Sequence, residues 1–378
     1  MIYLFIGVGF LYLLSLGMLI IGFRKLPVFP QELLPEKTKF SIVIPFRNES
    51  ENLQGLLESL QKIKYPSHLF EVIFVDDASE DNSVEIINQA FNKNPGFDNF
   101  QVIKNERHSA SPKKDAITAA IAISKYEWIL TTDADCILPS TWLNAYDSFI
   151  QKKGAILVAG PILYKSNESI LGQFQKFDGL SLQLVTMGSF GWQTPILCNG
   201  ANLAYRKKAF YSVQGFSENN HIASGDDIFI MEKILKIDPC EVHFLKSEEA
   251  IVETLPQSSW NDLIDQRIRW TSKTVGQKSS FSKPLGMLVF LTNSLILIGL
   301  IYSVIRPDFL SYYLGFLAAK VLLDFYVIKM SNTFYHIKIN LVAFLLSAFS
   351  YPIVTVIAVL GSLRGTYSWK GRNFDKRP

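Results

Sequence analysis

The two ends of the chain are apolar over lengths that match a lipid bilayer. Residues 1–23 contain no charged side chain, and Arg24 and Lys25 follow at once. A helix of this length crosses a hydrocarbon core of roughly 30 Å. A cleaved signal peptide would carry its positive charge before the apolar run and small residues after it, whereas here the charge follows the run. We therefore expect an uncleaved anchor at residues 1–23.

The C-terminal part of the chain is also apolar. The middle stretch contains Lys320 and Asp324, which are spaced to pair on one face of a helix. Each stretch is long enough to cross a bilayer. The three stretches lie at 285–305, 309–330 and 339–363.

The predicted topology of this region contains a conflict. Three crossings after a cytoplasmic domain would place the basic tail at residues 364–378 outside, against the usual excess of Lys and Arg on the cytoplasmic side. Pro352 interrupts the last stretch near its centre, so we interpret that stretch as a broken, re-entrant segment. Residues 284–363 would then hold two or three membrane helices.

The middle of the chain has an α/β pattern. After a Pro-containing linker at residues 24–39, short apolar runs alternate with amphipathic segments over residues 40–273. This alternation predicts a mostly parallel central sheet covered on both faces, with ligands bound beyond the carboxyl ends of the strands. Asn48 and Glu51 predict a capped start for the first helix. Strands are expected at 40–44, 72–75, 102–103 and 128–130, and helices at 53–60, from 82, and at 116–123, 169–187, 226–237 and 258–273.

Charge and cysteine usage narrow the function classes. The net charge is only +3, and the middle region has no basic stripe interleaved with aromatic residues, so no nucleic-acid partner is expected. The cysteines, Cys136, Cys198 and Cys240, are odd in number and widely separated. They predict neither a disulfide framework nor a zinc site, which suits a reducing compartment.

Acidic pairs follow two of the predicted strands. Asp133 and Asp135 come after the fourth strand, where carboxylates can hold Mg²⁺ or Mn²⁺ against a diphosphate, although such pairs in loops are usually only solvated. Asp76 and Asp77 end the second strand. Local sequence supports equally a helix cap and a carboxylate that binds the base or ribose of a nucleotide.

Two further segments carry candidate chemistry. Asp226 and Asp227 begin a predicted helix, where they either only favour the helix dipole or supply a catalytic base. Gln266 and Arg269 share a helical face beside Trp270, just before the membrane stretches. Arginine can bind a diphosphate and Trp can stack on a sugar, but the same residues suit an interfacial helix at the lipid headgroups.

Together these segments resemble glycosyltransferase family 2, in the membrane-bound branch that includes hyaluronan, chitin and cellulose synthases and glycolipid-forming enzymes. The resemblance covers roughly residues 40–273. Ala78 and Pro112 stand where the family usually has Gly. The matching motifs are Ile42-Val43-Ile44-Pro45-Phe46-Arg47-Asn48-Glu49, Val75-Asp76-Asp77, Lys113 with Ala116, Asp133-Ala134-Asp135, Asn199-Gly200-Ala201-Asn202, Gly225-Asp226-Asp227 and Gln266-x-x-Arg269-Trp270.

The resemblance implies a GT-A type nucleotide-sugar-binding domain and an inverting displacement. Asp227 would be the general base with Asp226 beside it, and Asp135 and Asp133 would hold the metal. The family favours UDP-linked donors. Donor-binding residues would be Pro45, Glu49, Asp76, Asp77, Lys113, Asp133 and Arg269, and the acceptor side would be formed by Asn199, Gly200, Gln266 and Trp270.

The implied protein is an integral membrane enzyme of the bacterial inner (plasma) membrane with a cytoplasmic catalytic domain. At most four crossings are a small number for a polymer channel, so a lipid or other membrane-borne acceptor is favoured over a processive polysaccharide synthase. A nucleotidyltransferase and a non-catalytic membrane scaffold are the alternatives from other classes. The sequence leaves the sugar and the oligomeric state open.

Overall fold

A seven-stranded sheet forms the centre of the structure, a computed structural model that describes residues 1–30, 34–92, 99–165, 167–273, 279, 281–363, 366–370 and 372–375. The sheet strands are β1 (Phe40–Phe46), β2 (Phe70–Asp76), β3 (Phe100–Lys104), β4 (Trp128–Thr131), β6 (Leu157–Ala159), β8 (Leu203–Arg206) and β9 (Val242–Phe244). Their order is β3-β2-β1-β4-β8-β6-β9, and only β8 runs antiparallel to its neighbours. The prediction of an α/β fold with a mostly parallel sheet is confirmed.

Helices cover both faces of this sheet, because alternate residues of each buried strand point to opposite sides. Ile42 and Ile44 of β1 belong to one core, and Val43 belongs to the other. The helices of this part are α2 (Leu53–Gln61), α3 (Ser83–Asn92), α4 (Pro112–Ile123), α5 (Trp142–Lys153), α6 (Ile170–Gly191), α7 (Lys207–Ser212), α8 (Asp226–Leu235) and α9 (Trp260–Lys273).

Two local features differ from the sequence-based expectation. The small sheet β5-β10-β7 (Cys136–Ile137, Val252–Thr254 and Ile162–Tyr164) was not predicted, because each strand has only two or three residues. The predicted cap of α2 is wrong. The side-chain oxygen of Asn48 accepts a hydrogen bond from the Glu80 backbone N–H (2.8 Å), and α2 begins only at Leu53.

Three long helices pack side by side away from the sheet: α1 (Ile2–Lys25), α10 (Ser282–Ile305) and α11 (Leu310–Tyr335). The ring of Phe5 in α1 contacts Phe309 and Phe316 at centroid distances of 5.2 and 4.9 Å. The predicted pairing of Lys320 with Asp324 is confirmed, since Lys320 Nζ lies 2.7 Å from Asp324 Oδ2. Tyr12 donates a hydrogen bond to the same carboxylate (2.8 Å).

The last helix, α12 (Leu341–Ser362), stays against the sheet-containing domain. Its Phe344 and Tyr351 rings contact Phe177 and Phe174 of α6, and Gly361 lies against Ile268 of α9. It runs through Pro352 as one continuous helix, so the predicted break is wrong. By length and composition α1, α10 and α12 are apolar enough to cross a membrane.

We call α1, α10, α11 and α12 the membrane-type helices. Of these, α1 contacts the domain through glycines of α1 and α6. A Cβ added to Gly191 would lie 1.8 Å from the Gly22 carbonyl oxygen, and one added to Gly188 would lie 2.4 Å from the Leu19 carbonyl oxygen. The two backbones are therefore in direct contact. Trp192 continues the contact by donating a hydrogen bond from its indole nitrogen to the Met18 carbonyl (2.7 Å).

Replacing Gly191 by Ala should lower the free energy of unfolding by about 1–3 kcal/mol, because the added methyl group forces the two backbones apart. The measurement is thermal unfolding of the purified protein in detergent. Gly7→Ala is the matched control in α1, since a Cβ there meets nothing within 4 Å. Equal melting temperatures for Gly191→Ala and the control would contradict the proposed role of this contact.

Candidate active site

A single cavity of about 1520 Å³ opens at the carboxyl ends of β1, β2 and β4 and continues between the long helices. This is the edge where a parallel sheet binds ligands. Most of the predicted site residues line it: Pro45, Glu49, Asp77, Lys113, Asp133, Asp135, Asn199, Gly200, Asp226, Asp227, Gln266, Arg269 and Trp270.

Lys113 joins the two sides of the cavity. It lies in the first turn of α4, and its Nζ is 2.7 Å from Asp133 Oδ1 and 3.4 Å from Asp226 Oδ2. Burial alone would lower the pKa of Lys113, but Asp133 and Asp226 raise it well above the usual value. The ammonium group therefore stays charged, and it connects the predicted metal-binding acid to the acid beside the predicted base.

Asp226 and Asp227 are buried neighbours with different environments. Burial raises the pKa of Asp226, against the opposing charge of Lys113. Burial would raise the pKa of Asp227 too, but Lys273, 3.5 Å from its Oδ1, and the Ile228 backbone N–H lower it below the usual value. The lowered pKa of Asp227 favours its ionised form, which is the form that a general base requires.

Gly200 is required for the backbone to approach these acids. Its N–H donates to Asp227 Oδ2 (3.3 Å), and an added Cβ would lie 2.9 Å from Asp226 Oδ2. The side chain of Asn199 accepts from the Ala201 N–H (2.9 Å), which shapes the turn that presents Gly200. The segment predicted to face the acceptor therefore lies directly against the predicted base.

Asp133 and Asp135 form an acidic pair suited to a hard cation. Burial is the main cause that raises the pKa of Asp135 to about 7, and the neighbouring carboxylates of Asp133 and Glu49 add to the rise. Within the described residues no group of three or more His, Cys, Asp or Glu side chains has metal-binding geometry. Two carboxylates fit the way Mg²⁺ is usually held, with substrate phosphates and water completing the coordination.

The two acids at the end of β2 have separate roles. Asp76 lies outside the cavity lining, and its carboxylate accepts a hydrogen bond from the Ser79 N–H (2.9 Å), so it caps a turn. Asp77 faces the cavity and accepts from Asn105 Nδ2 (2.8 Å). The sequence left open whether these acids cap local structure or bind a nucleotide, and Asp76 caps local structure.

Helix α9 brings cations that sequence analysis missed. Arg267, next to the predicted Gln266, forms a buried ion pair with Asp178 of α6, and its guanidinium lies 4.3 Å from the centre of the Trp270 ring. Lys273 is seven residues after Gln266 and therefore on the same helical face, which is the signal that would have identified it.

A C-terminal hairpin also reaches the site. Strands β11 (Thr366–Trp369) and β12 (Arg372–Asp375) are antiparallel, and the predicted tail residues Arg364, Lys376 and Arg377 lie outside the described residues. Lys370 Nζ is 2.9 Å from Glu49 Oε1, and Arg372 forms an ion pair with Asp77. Because these partners are more than 290 residues away, the sequence offered no signal for either cation.

A solved structure shares this architecture. The mannosyltransferase PcManGT from Pyrobaculum calidifontis, solved in complex with GDP-Man and Mn²⁺, superimposes over 96% of this chain and 98% of its own, with a TM-score of 0.59 and 15% identity. This likeness confirms the predicted GT-A type fold. The class that the fold defines is that of proteins with a GT-A type domain.

The sequence comparisons give the family. The profile "Glycosyl transferase family 2" matches residues 41–213, and "Glycosyl transferase family group 2" matches residues 128–367, more than half of the chain. The chain belongs to glycosyltransferase family 2, as its motifs predict.

Curated relatives are distant. Glycosyltransferase AglE from Haloferax volcanii is 26% identical over 190 residues, which is 50% of this chain and 58% of AglE. Poly-beta-1,6-N-acetyl-D-glucosamine synthase from Staphylococcus epidermidis is 27% identical over 233 residues, which is 61% of this chain and 53% of the synthase. The chain thus spans little more than half the length of these relatives.

Replacing Lys370 by Met should raise the KM for the sugar-nucleotide donor about tenfold, because the cation beside Glu49 is then lost from the predicted diphosphate site. Initial rates measured against donor concentration test this. The control is Lys62→Met, whose side chain is 73% exposed and pairs only across a helix surface. A donor KM that does not change in Lys370→Met would exclude the role.

Proposed function

We propose that the protein transfers a sugar from a nucleotide-sugar donor to a lipid acceptor, with inversion and with a divalent metal. The observation that carries this proposal is the continuity of the cavity, which holds Asp227 at one end and Tyr12 of α1 and Ala348 of α12 at the other. A reacting group at Asp227 can therefore be attached to a chain that lies among the membrane-type helices.

The depth of the cavity supports a lipid occupant. Tyr12, which lines the cavity, lies thirteen residues before Lys25, the last residue of α1, so the cavity reaches a point roughly 20 Å from that end of the helix. Its volume also exceeds the roughly 300–1,000 Å³ of ordinary small-molecule sites. Phe290, Val327 and Ala348 give this part an apolar lining that suits an alkyl or polyprenyl chain. A growing polysaccharide would need polar partners along its length.

The chain's own residues supply the proton transfer. Asp227, kept ionised by Lys273, accepts the proton of the acceptor hydroxyl as that oxygen attacks the anomeric carbon. Arg269 lines the same cavity and would stabilise the charge that develops on the departing diphosphate. Gly200 keeps the backbone close enough for the acceptor to reach Asp227.

A divalent cation would be held by Asp135 and Asp133. When bound it would neutralise charge on the donor diphosphate. The bound Mn²⁺ of PcManGT supports this assignment, and Asp133 and Glu49 add negative charge near Asp135 that a cation would offset. Among the described residues Lys113 already neutralises part of Asp133, so Asp135 is the principal candidate ligand.

The contacts of α12 support one membrane arrangement. The proposal is that α1 and α10 cross the membrane together with α11, a helix of 26 residues whose Lys320 and Asp324 are paired, while α12, although apolar enough to cross, lies along the domain. Tyr335, at the end of α11, donates to Gln183 of α6 (2.8 Å), and the hairpin after α12 returns to Glu49. Both ends of α12 are thus on the side of the catalytic domain, which we place in the cytoplasm at the plasma membrane of a bacterium.

Replacing Asp227 by Asn should reduce transfer by at least a thousandfold while the donor Kd changes less than threefold, because the amide cannot accept the proton. Radiolabel transfer and equilibrium donor binding test this with and without Mn²⁺. An active Asn variant would exclude Asp227 as the base. Wild-type membranes that neither transfer nor hydrolyse any donor of a UDP- and GDP-sugar panel would favour the scaffold alternative.

Replacing Gly286 by Leu should raise the KM for a long-chain lipid acceptor about tenfold and leave the rate with a short-chain analogue unchanged. Gly286 lines the cavity, and an added Cβ there meets nothing within 4 Å, so the larger side chain fills the space of the acceptor. Gly315→Leu in α11 is the control, since its Cβ position is also open.

The same labelled membranes distinguish the acceptor classes. Label in the lipid extract supports the proposal, and label in an insoluble polymer supports the processive synthase. An equal effect of Gly286→Leu on long and short acceptors would show that the apolar part of the cavity does not hold the lipid chain.

A further inference from the structure

Lys114, the neighbour of the bridging Lys113, is a buried cation whose ammonium group contacts the segment before α8. Its side chain is 1% exposed. Its Nζ donates to the Asn219 carbonyl (2.6 Å) and the Ile222 carbonyl (2.7 Å), and it lies 4.7 Å from the centre of the Phe229 ring. The ammonium group is therefore held by neutral groups of the segment that leads into α8.

Burying this charge is unfavourable. Burial lowers the pKa of Lys114 to about 8, although Asp226 and Asp227 oppose the shift, and Lys273 and Lys233 add to it. A buried ammonium destabilises a fold by several kcal/mol before its partners are counted. Carbonyl dipoles and aromatic ring faces offset part of this destabilisation. A methionine would fill the same volume without the penalty, so the charge has a role that packing does not explain.

The segment that Lys114 holds leads directly to the predicted base. Ser111, three residues earlier in the chain, donates from its hydroxyl to the Ala223 carbonyl (3.2 Å). The start of α4 thus binds three carbonyls between residues 219 and 223. Gly225 follows with φ of +84°, and α8 begins at the next residue with Asp226 and Asp227.

The backbone at this entry is tightly constrained. A Cβ on Gly225 would lie 2.8 Å from the Phe229 ring, which is the ring that also faces Lys114. A shift of the segment at residues 219–223 would therefore be transmitted to the first turn of α8. Because acid–base catalysis depends on sub-ångström placement, a 1 Å shift of Asp227 is enough to reduce the rate about a hundredfold.

We propose that Lys114 is a positioning residue that fixes the segment of residues 219–225 and thereby holds Asp227 at its distance from the acceptor hydroxyl. The two adjacent lysines of α4 then have different roles. Lys113 contacts the carboxylates of Asp133 and Asp226, and Lys114 fixes the backbone segment that precedes Asp227. This inference rests on the proposed role of Asp227 as the base.

The test replaces Lys114 by Met and compares kcat with the donor KM, both per folded molecule. We expect kcat for transfer to fall tenfold or more, with the donor KM within twofold, because the donor-side residues are untouched. Lys125→Met, two residues beyond the end of α4, is the control, because its side chain is 68% exposed and pairs with Glu71 of β2. Its kcat should equal that of the wild type.

The outcomes separate this role from a structural one. A lower melting temperature with unchanged kcat would mean that Lys114 only supports the fold, and a parallel rise of donor KM would place its effect on the donor; either result overturns the proposal. If Lys114→Met does not fold, Ser111→Ala tests the same segment, with an expected threefold fall in kcat and an unchanged donor KM. An unchanged kcat in Ser111→Ala would then overturn it. The test of Asp227 is independent of these results. If the wild type transfers sugar and Asp227→Asn does not, Asp227 remains the base whatever the effect of replacing Lys114.

Discussion

Lys113 holds together a cleft that would otherwise be electrostatically unstable. Asp133, Asp226 and Asp227 line one cavity, and two like charges about 4 Å apart repel by about 4 kcal/mol at an effective dielectric constant of 20. One ammonium group between Asp133 and Asp226 offsets much of this repulsion. It also leaves Asp227 with a separate partner, Lys273, so that the two neighbouring acids acquire opposite pKa shifts. The charge balance on the donor side and on the acceptor side of the cleft thus depends on the two contacts of Lys113.

The second constraint is the attachment of this cleft to the membrane-type helices. Helix α6 of the catalytic domain makes these contacts. Its Phe174 packs against α12, and its Gly188 and Gly191 contact the backbone of α1. Lys246, buried in the domain, donates to the Phe23 carbonyl (2.9 Å) at the end of α1. These contacts hold the elements that line the cavity at fixed positions. A lipid that entered the cavity would therefore lie at a fixed position relative to the predicted catalytic acids.

Sequence reasoning recovered what local patterns encode. The first four strands were placed within two residues because each contains a short apolar run, although β3 at the edge of the sheet is only partly buried while β1, β2 and β4 are buried. Thirteen of the fourteen site residues predicted from the family motifs line one cavity. Asp76 was not separable from Asp77, since only the turn at Ser79 decides which carboxylate faces inward.

Long-range contacts were beyond the sequence. The hairpin cations Lys370 and Arg372 reach acids near the start of the domain, and no spacing rule connects positions so far apart. The cap predicted at Asn48 failed for a related reason, because its side chain bonds across to Glu80 on the neighbouring turn. Pro352 was interpreted from its chemistry alone, but the packing of α12 on α6 and α9 keeps that helix continuous.

The position of α12 links the topology to the chemistry of the donor site. If α12 crossed the bilayer, the residues after it would be on the far side from Glu49 and Asp77, and these two acids would lose the cations that now contact them. In the arrangement that we propose, α12 lies along the domain, two crossings follow the domain, and the hairpin returns to the cleft. The excess of basic residues in the tail then agrees with the positive-inside rule. One helix orientation thus accounts both for the charge of the tail and for the ion pairs that it makes at the cleft.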